Sequence, residues 1–149
     1  MILSGWSRFS TGLKIYGRLV VIVYYGVETD KMVKIELALS GKRRLDVYVW
    51  GTEMKFGKET KKYKFRKRKD FCGLYVGFVN AGSLFGEIHF MKKWMGVGYC
   101  SHEFQHFFIE WVTRTTRGLT NRNEEQLVLF YEGVIRRFWQ KYYKSIGKS

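Results

Sequence analysis

The residues Phe104, Phe107, Phe108, Trp111 and Val112 recur at i, i+3, i+4, i+7 and i+8, a spacing that an α-helix turns into one continuous face. At about 100° per residue they cover an arc of roughly 140°. His102, Glu103, His106, Glu110 and Thr113 fall on the opposite arc. The pattern predicts a helix from Cys100 to about Arg117, stopped by Gly118. One side of it packs, and the other carries His102-Glu103-x-x-His106.

Ahead of this helix the pattern is that of strands. Leu19 to Tyr25 is a continuous β-branched and aromatic run, Val33 to Leu39 alternates apolar and polar, and Leu45 to Trp50 alternates less cleanly. These three are expected to be antiparallel neighbours, because the segments joining them are too short for a crossover helix. Leu74 to Val79 and Phe85 to Met91 read as two further strands around the turn Asn80-Ala81-Gly82-Ser83. Behind the motif, Glu124 to about Lys144 reads as a second amphipathic helix. Asn123 and Gln126 offer a capping box, and Leu127, Phe130, Tyr131, Val134, Ile135, Phe138 and Tyr142 form the buried stripe. The fold class so read is α+β, a mainly antiparallel N-terminal sheet over 1–95 followed by two packed helices over 96–149. A chain of 149 residues is expected to form one domain.

Charge bears on partners. With 27 Lys and Arg against 13 Asp and Glu, the net charge is +14, which favours contact with nucleic acid or another polyanion. Lys55 to Lys69 holds nine of these cations. Within it Lys62-Tyr63-Lys64-Phe65-Arg66 alternates cation and ring, which reads in two ways. It is a nucleic-acid surface contacted through Lys62, Lys64, Arg66, Lys67 and Arg68, or an edge strand or hairpin whose cations stay in water. The two cysteines, Cys72 and Cys100, make no disulfide framework and point to a reducing compartment. No signal peptide and no apolar run near the ~20 residues of a membrane span is read, so a cytoplasmic protein is expected.

The motif has a definite chemical meaning. Histidines four apart on a helix can share one tetrahedral zinc, and the glutamate after the first can reach a water beside the metal. A catalytic zinc takes a third protein ligand, and the carboxylates opening the next helix, Glu124 and Glu125, are the candidates. Phase relative to Leu127 sets Glu124 inside the apolar arc and Glu125 at its border. That favours Glu125 and keeps Glu124 as the alternative. Tyr99, Tyr131, Arg136 and His89 are candidates to stabilise a developing oxyanion. His89 also reads as an ordinary strand residue, and Cys100 as a small buried filler.

His102-Glu103-x-x-His106, followed by Asn123-Glu124-Glu125-x-Leu127 at a helix start, resembles the gluzincin class of zinc metallopeptidases. It is particularly similar to the short single-domain members, including small phage-encoded ones. The resemblance covers roughly Phe85 to Val134, and it implies a zincin-like fold. It also implies one zinc per chain, held by His102, His106 and Glu125, with Glu103 as general base and a peptide or protein as substrate. A viral origin would put the protein in the host cytoplasm. In that class the strand before the helix lines the cleft, a place held here by Phe85 to Met91. Phe107-Phe108 departs from the small residues that many such helices carry after the second histidine, and predicts a narrower cleft.

Overall fold

A computed structural model describes residues 10–16, 19–25, 31–63 and 73–147, the first two segments as backbone only. The elements are β1 (Ser10–Tyr16), β2 (Leu19–Tyr25), β3 (Val33–Ala38), β4 (Arg44–Trp50), α1 (Glu53–Lys61), β5 (Gly73–Gly77), β6 (Leu84–Met91), α2 (Val97–Thr115) and α3 (Glu124–Ser145). This is an α+β fold, a four-stranded sheet followed by helices. β1 and β2 form a separate antiparallel pair.

The main sheet runs β3-β4-β6-β5. Its outer pairs are antiparallel, while β4 and β6 are parallel, so the sheet is mixed, with two of its three pairs antiparallel. The cause is α1. Thr52 caps it by accepting from the Lys55 N–H at 3.4 Å, and Phe56 and Thr60, four residues apart, form its buried side. The helix lets the chain cross from β4 to the far side of the sheet, where β5 and β6 pair. α1 takes up the start of the basic stretch, while Lys64, Phe65 and Arg66 of the cation-and-ring alternation lie outside the described residues. β2 pairs with β1 and not with β3.

One face of the sheet carries the core. Ile35, Leu37, Leu45, Val47, Val49, Ile88 and Phe90 pack against Phe104, Phe107 and Trp111 of α2 and against Val134 and Phe138 of α3. The helical face read from sequence is therefore the packed one. Cys100 joins it as a free, buried thiol, pushed up to about 12 by burial; Cys72 lies outside the described residues. The other face, under α1, holds a partly buried polar chain. Trp50 Nε1 donates to His89 Nδ1 at 3.1 Å, His89 Nε2 lies 3.2 Å from Glu87, and the Tyr63 hydroxyl donates to the same carboxylate. With Nδ1 accepting from tryptophan, the proton sits on Nε2, and it is donated to Glu87. The His89 contact holds the Glu87 carboxyl below its usual range.

Two helix ends differ from the sequence reading. α2 stops at Thr115, and Gly118 follows with φ +97°. Asn123 precedes α3 but makes no side-chain cap to it. Its Oδ1 accepts from the Thr120 N–H at 2.8 Å and its Nδ2 donates to the Gly118 carbonyl at 3.0 Å. The asparagine secures the loop instead of the helix. Among the described residues no helix is long and apolar enough to cross a membrane.

Candidate metal centre

The site is built where α2 lies along β5. Gly73 and Gly77 stand four apart on one face of β5, and neither has a side chain to hold the helix off. Glu103 and Glu110 occupy the space, so that a Cβ on Gly73 would come within 2.7 Å of Glu103 Cγ and one on Gly77 would strike the Glu110 carboxylate. Four strand residues span roughly 13 Å and seven helical residues about 10.5 Å, so the two pairs match in length. Tyr75, between the glycines, sets its ring 6.2 Å from that of Phe107.

Glu103 is consequently buried, at 9% exposure, and does not share the solvent arc with the histidines. The Tyr75 backbone N–H donates to its carboxylate. Among the described residues β5 is an edge strand, so this bond uses a main-chain donor that no described strand takes. Burial raises the Glu103 carboxyl above the ordinary glutamate range, while His102 and His106 beside it pull it down.

His102 and His106 are exposed. Their Nε2 atoms lie 3.1 Å apart and their rings are near perpendicular, at 88°. Two ligand nitrogens at ~2.1 Å from one tetrahedral zinc would be separated by roughly 3.4 Å. The histidine pair comes close to that separation, with its two ring nitrogens in hydrogen-bond contact on the exposed side of α2.

The expected third ligand is not brought to them. Glu124 and Glu125 are exposed on the first turn of α3. α3 runs antiparallel to α2, with Phe130 stacked on Trp111 at 4.9 Å and Tyr131 tilted against Phe108 at 4.8 Å. Glu125 lies five residues before Phe130 and His106 five before Trp111, which sets them about 15 Å apart along the helix axes. Phase adds to this. His102 and His106 lie about 120° and 160° round α2 from Phe108, the residue that faces α3. Glu125 itself lies about 160° from Leu127, on the solvent side and not at the border of the buried arc. Among the described residues no three His, Cys, Asp or Glu side chains gather as a metal site.

The other candidates separate in the same way. Tyr99 is half exposed in the first turn of α2, on the flank that carries His102 and Glu103. Tyr131 donates to the Ser101 carbonyl at 3.4 Å on the opposite flank, and Arg136 is exposed on α3. His89 is 1% exposed on the far face of the sheet, as befits an ordinary strand residue. β6 is interior, and β5 takes the edge position expected of Phe85–Met91. Phe107 is in the core and Phe108 against Tyr131, so neither narrows the space beside the histidines. In the basic stretch Lys62 is exposed, near Glu59 at 3.5 Å and over the Tyr63 ring. Lys64, Arg66, Lys67 and Arg68 lie outside the described residues.

Sequence reasoning missed Gly73, Gly77 and Glu110. The signal was present as two glycines at an even spacing on a strand and two glutamates seven apart on a helix. Compared with known proteins, the chain matches no family model, no curated sequence and no solved structure.

Proposed function

We propose that this protein is a zinc-dependent metallopeptidase of the gluzincin type, with His102 and His106 as metal ligands and Glu103 as general base. The observation that carries the reading is the convergence of the two Nε2 atoms at 3.1 Å beside a buried carboxylate. When bound, zinc supplies Lewis acidity toward a water and a carbonyl oxygen. Glu103 accepts a proton from the water and returns it to the leaving amine, and its bond from the Tyr75 N–H fixes where that carboxylate sits. Tyr99 is the helper placed on the same flank. The third ligand nominated by sequence is Glu125, which the described arrangement leaves on the other side of α2.

Metal titration of chelator-stripped protein tests this. Zinc at about a hundredfold over its Kd is expected to stabilise the fold by ~2.7 kcal/mol, read as a rise in melting temperature. His102→Ala and His106→Ala should lose that rise and Glu103→Gln should keep it. Zinc without effect on the wild-type melt would end the proposal. Glu125→Ala decides the remaining position. Loss of the rise assigns the third ligand to the α3 start, and an unchanged rise makes the centre a two-histidine site.

Gly73→Ala separates positioning from binding. The new methyl displaces Glu103, and misplacing a catalytic group by about 1 Å can cost roughly a hundredfold in rate. We expect kcat to fall while the zinc-induced rise persists. Gly77→Ala, which meets Glu110 instead, should leave kcat near wild type; equal losses in the two variants would count against Glu103 as the base.

The alternative, a nucleic-acid-binding module working through 55–69, is supported by the net charge of +14. Of the cation-and-ring alternation that suggested it, Lys62 caps the end of α1, and Lys64, Phe65 and Arg66 lie outside the described residues.

A further inference from the structure

At the end of the sheet remote from Glu103, two guanidiniums approach one ring. Arg114 of α2 lies over Phe85 at 4.2 Å, and Arg43, from the turn between β3 and β4, lies 6.0 Å from the same ring and 5.8 Å from Trp111. Arg114 is paired with Glu110 at 2.8 Å. Arg43 has no acidic partner among the described residues, although its side chain is held against two aromatic faces. A pocket of about 190 Å³ opens between them, closed on the far side by the Asn80–Gly82 turn of the β5–β6 hairpin.

We propose that this pocket binds a phosphate group, with Arg43 as its principal contact and Arg114 and Asn80 beside it. Its place over Phe85 and Trp111 restricts the Arg43 side chain, so less side-chain entropy is lost when an anion arrives. No described residue accepts from its N–H groups, which leaves them for a bidentate acceptor. The two like charges repel each other, and Glu110 neutralises only one of them, so an anion between them relieves the excess. A tetrahedral oxyanion presents enough oxygens to engage both guanidinium forks and the Asn80 amide, which a single planar carboxylate does not. The pocket is separate from the histidine pair, and its occupation requires no metal.

The phosphate can come from solution or from a nucleic-acid strand, and one experiment distinguishes them. Chelator-stripped protein is titrated by calorimetry with inorganic phosphate and with a short single-stranded oligodeoxynucleotide. Each titration is repeated for Arg43→Met, Arg43→Lys and Lys93→Met, the last removing an equal charge elsewhere. Arg43→Lys keeps a cation over the rings and guards against loss of fold. The expected result is saturable phosphate binding, weakened about tenfold or more by Arg43→Met, less by Arg43→Lys, and unaffected by Lys93→Met. Oligonucleotide binding with the same ranking, in the absence of phosphate binding, also supports the pocket and names a strand as the source. Failure of both probes to bind overturns the proposal. So does binding that falls equally in Arg43→Met and Lys93→Met, because that is attraction by net charge alone.

Discussion

Glu103→Gln is expected to lower peptide hydrolysis by about 10²–10⁴-fold, the usual contribution of general acid–base catalysis, while zinc binding is retained. The substitution keeps shape and removes only the capacity to take a proton. The neutral amide can still accept from the Tyr75 N–H through its oxygen, so β5 and α2 should stay together. Burial disfavours the charged form of Glu103, so the neutral variant should be at least as stable as wild type. Activity on an extended peptide, zinc content and melting temperature together check the outcome. Loss of activity with zinc and melt intact fits a general base; full activity in Glu103→Gln would remove it from the mechanism.

The sequence made the core legible and the site only in part, for a physical reason. The helical face of Phe104, Phe107, Phe108 and Trp111 can pack in one way, and α2 buries it as its period required. Strands with strong alternation, such as β3, fall where they were read. α1 was missed because its sequence has a glycine, three lysines and few apolar residues, and it buries only Phe56 and Thr60. Missing α1 had a topological consequence, since a parallel β4–β6 pair needs a long connection and α1 is part of it. β6 then becomes interior and β5 the free edge, which reverses the strand expected beside the motif. Glu103 illustrates the same limit. Helical phase set it with the histidines on the solvent arc, but phase does not reveal that a strand bare at Gly73 and Gly77 will lie against that flank and bury it. The i, i+4 histidine pair was legible because helix geometry alone brings the two rings together. A ligand on another helix depends on packing, which the spacing from His106 to Glu125 does not determine.

The same packing makes Phe107 the side chain whose loss should cost most. It is fully buried, with the rings of Phe85, Trp111 and Tyr75 at 5.8, 6.1 and 6.2 Å. Phe107→Ala is expected to destabilise the fold by about 3–5 kcal/mol, through lost transfer energy and the cavity left among rigid rings. Phe108→Ala provides the comparison, because Phe108 is only half-buried and meets Tyr131 on the α3 flank; it should cost less than half as much. Phe107 lies one turn beyond Glu103 on the helix and contacts the Tyr75 ring, so it also sets the distance between α2 and β5. Phe107→Leu, which refills part of the volume, should recover much of the stability. If the position of Glu103 depends on this contact, Phe107→Leu should keep zinc affinity and still lose rate. Chemical denaturation measures the first effect and kcat at saturating zinc the second. Equal destabilisation in Phe107→Ala and Phe108→Ala would mean that α2 is not held to β5 through Phe107, and the placement of Glu103 against Gly73 would lose its support.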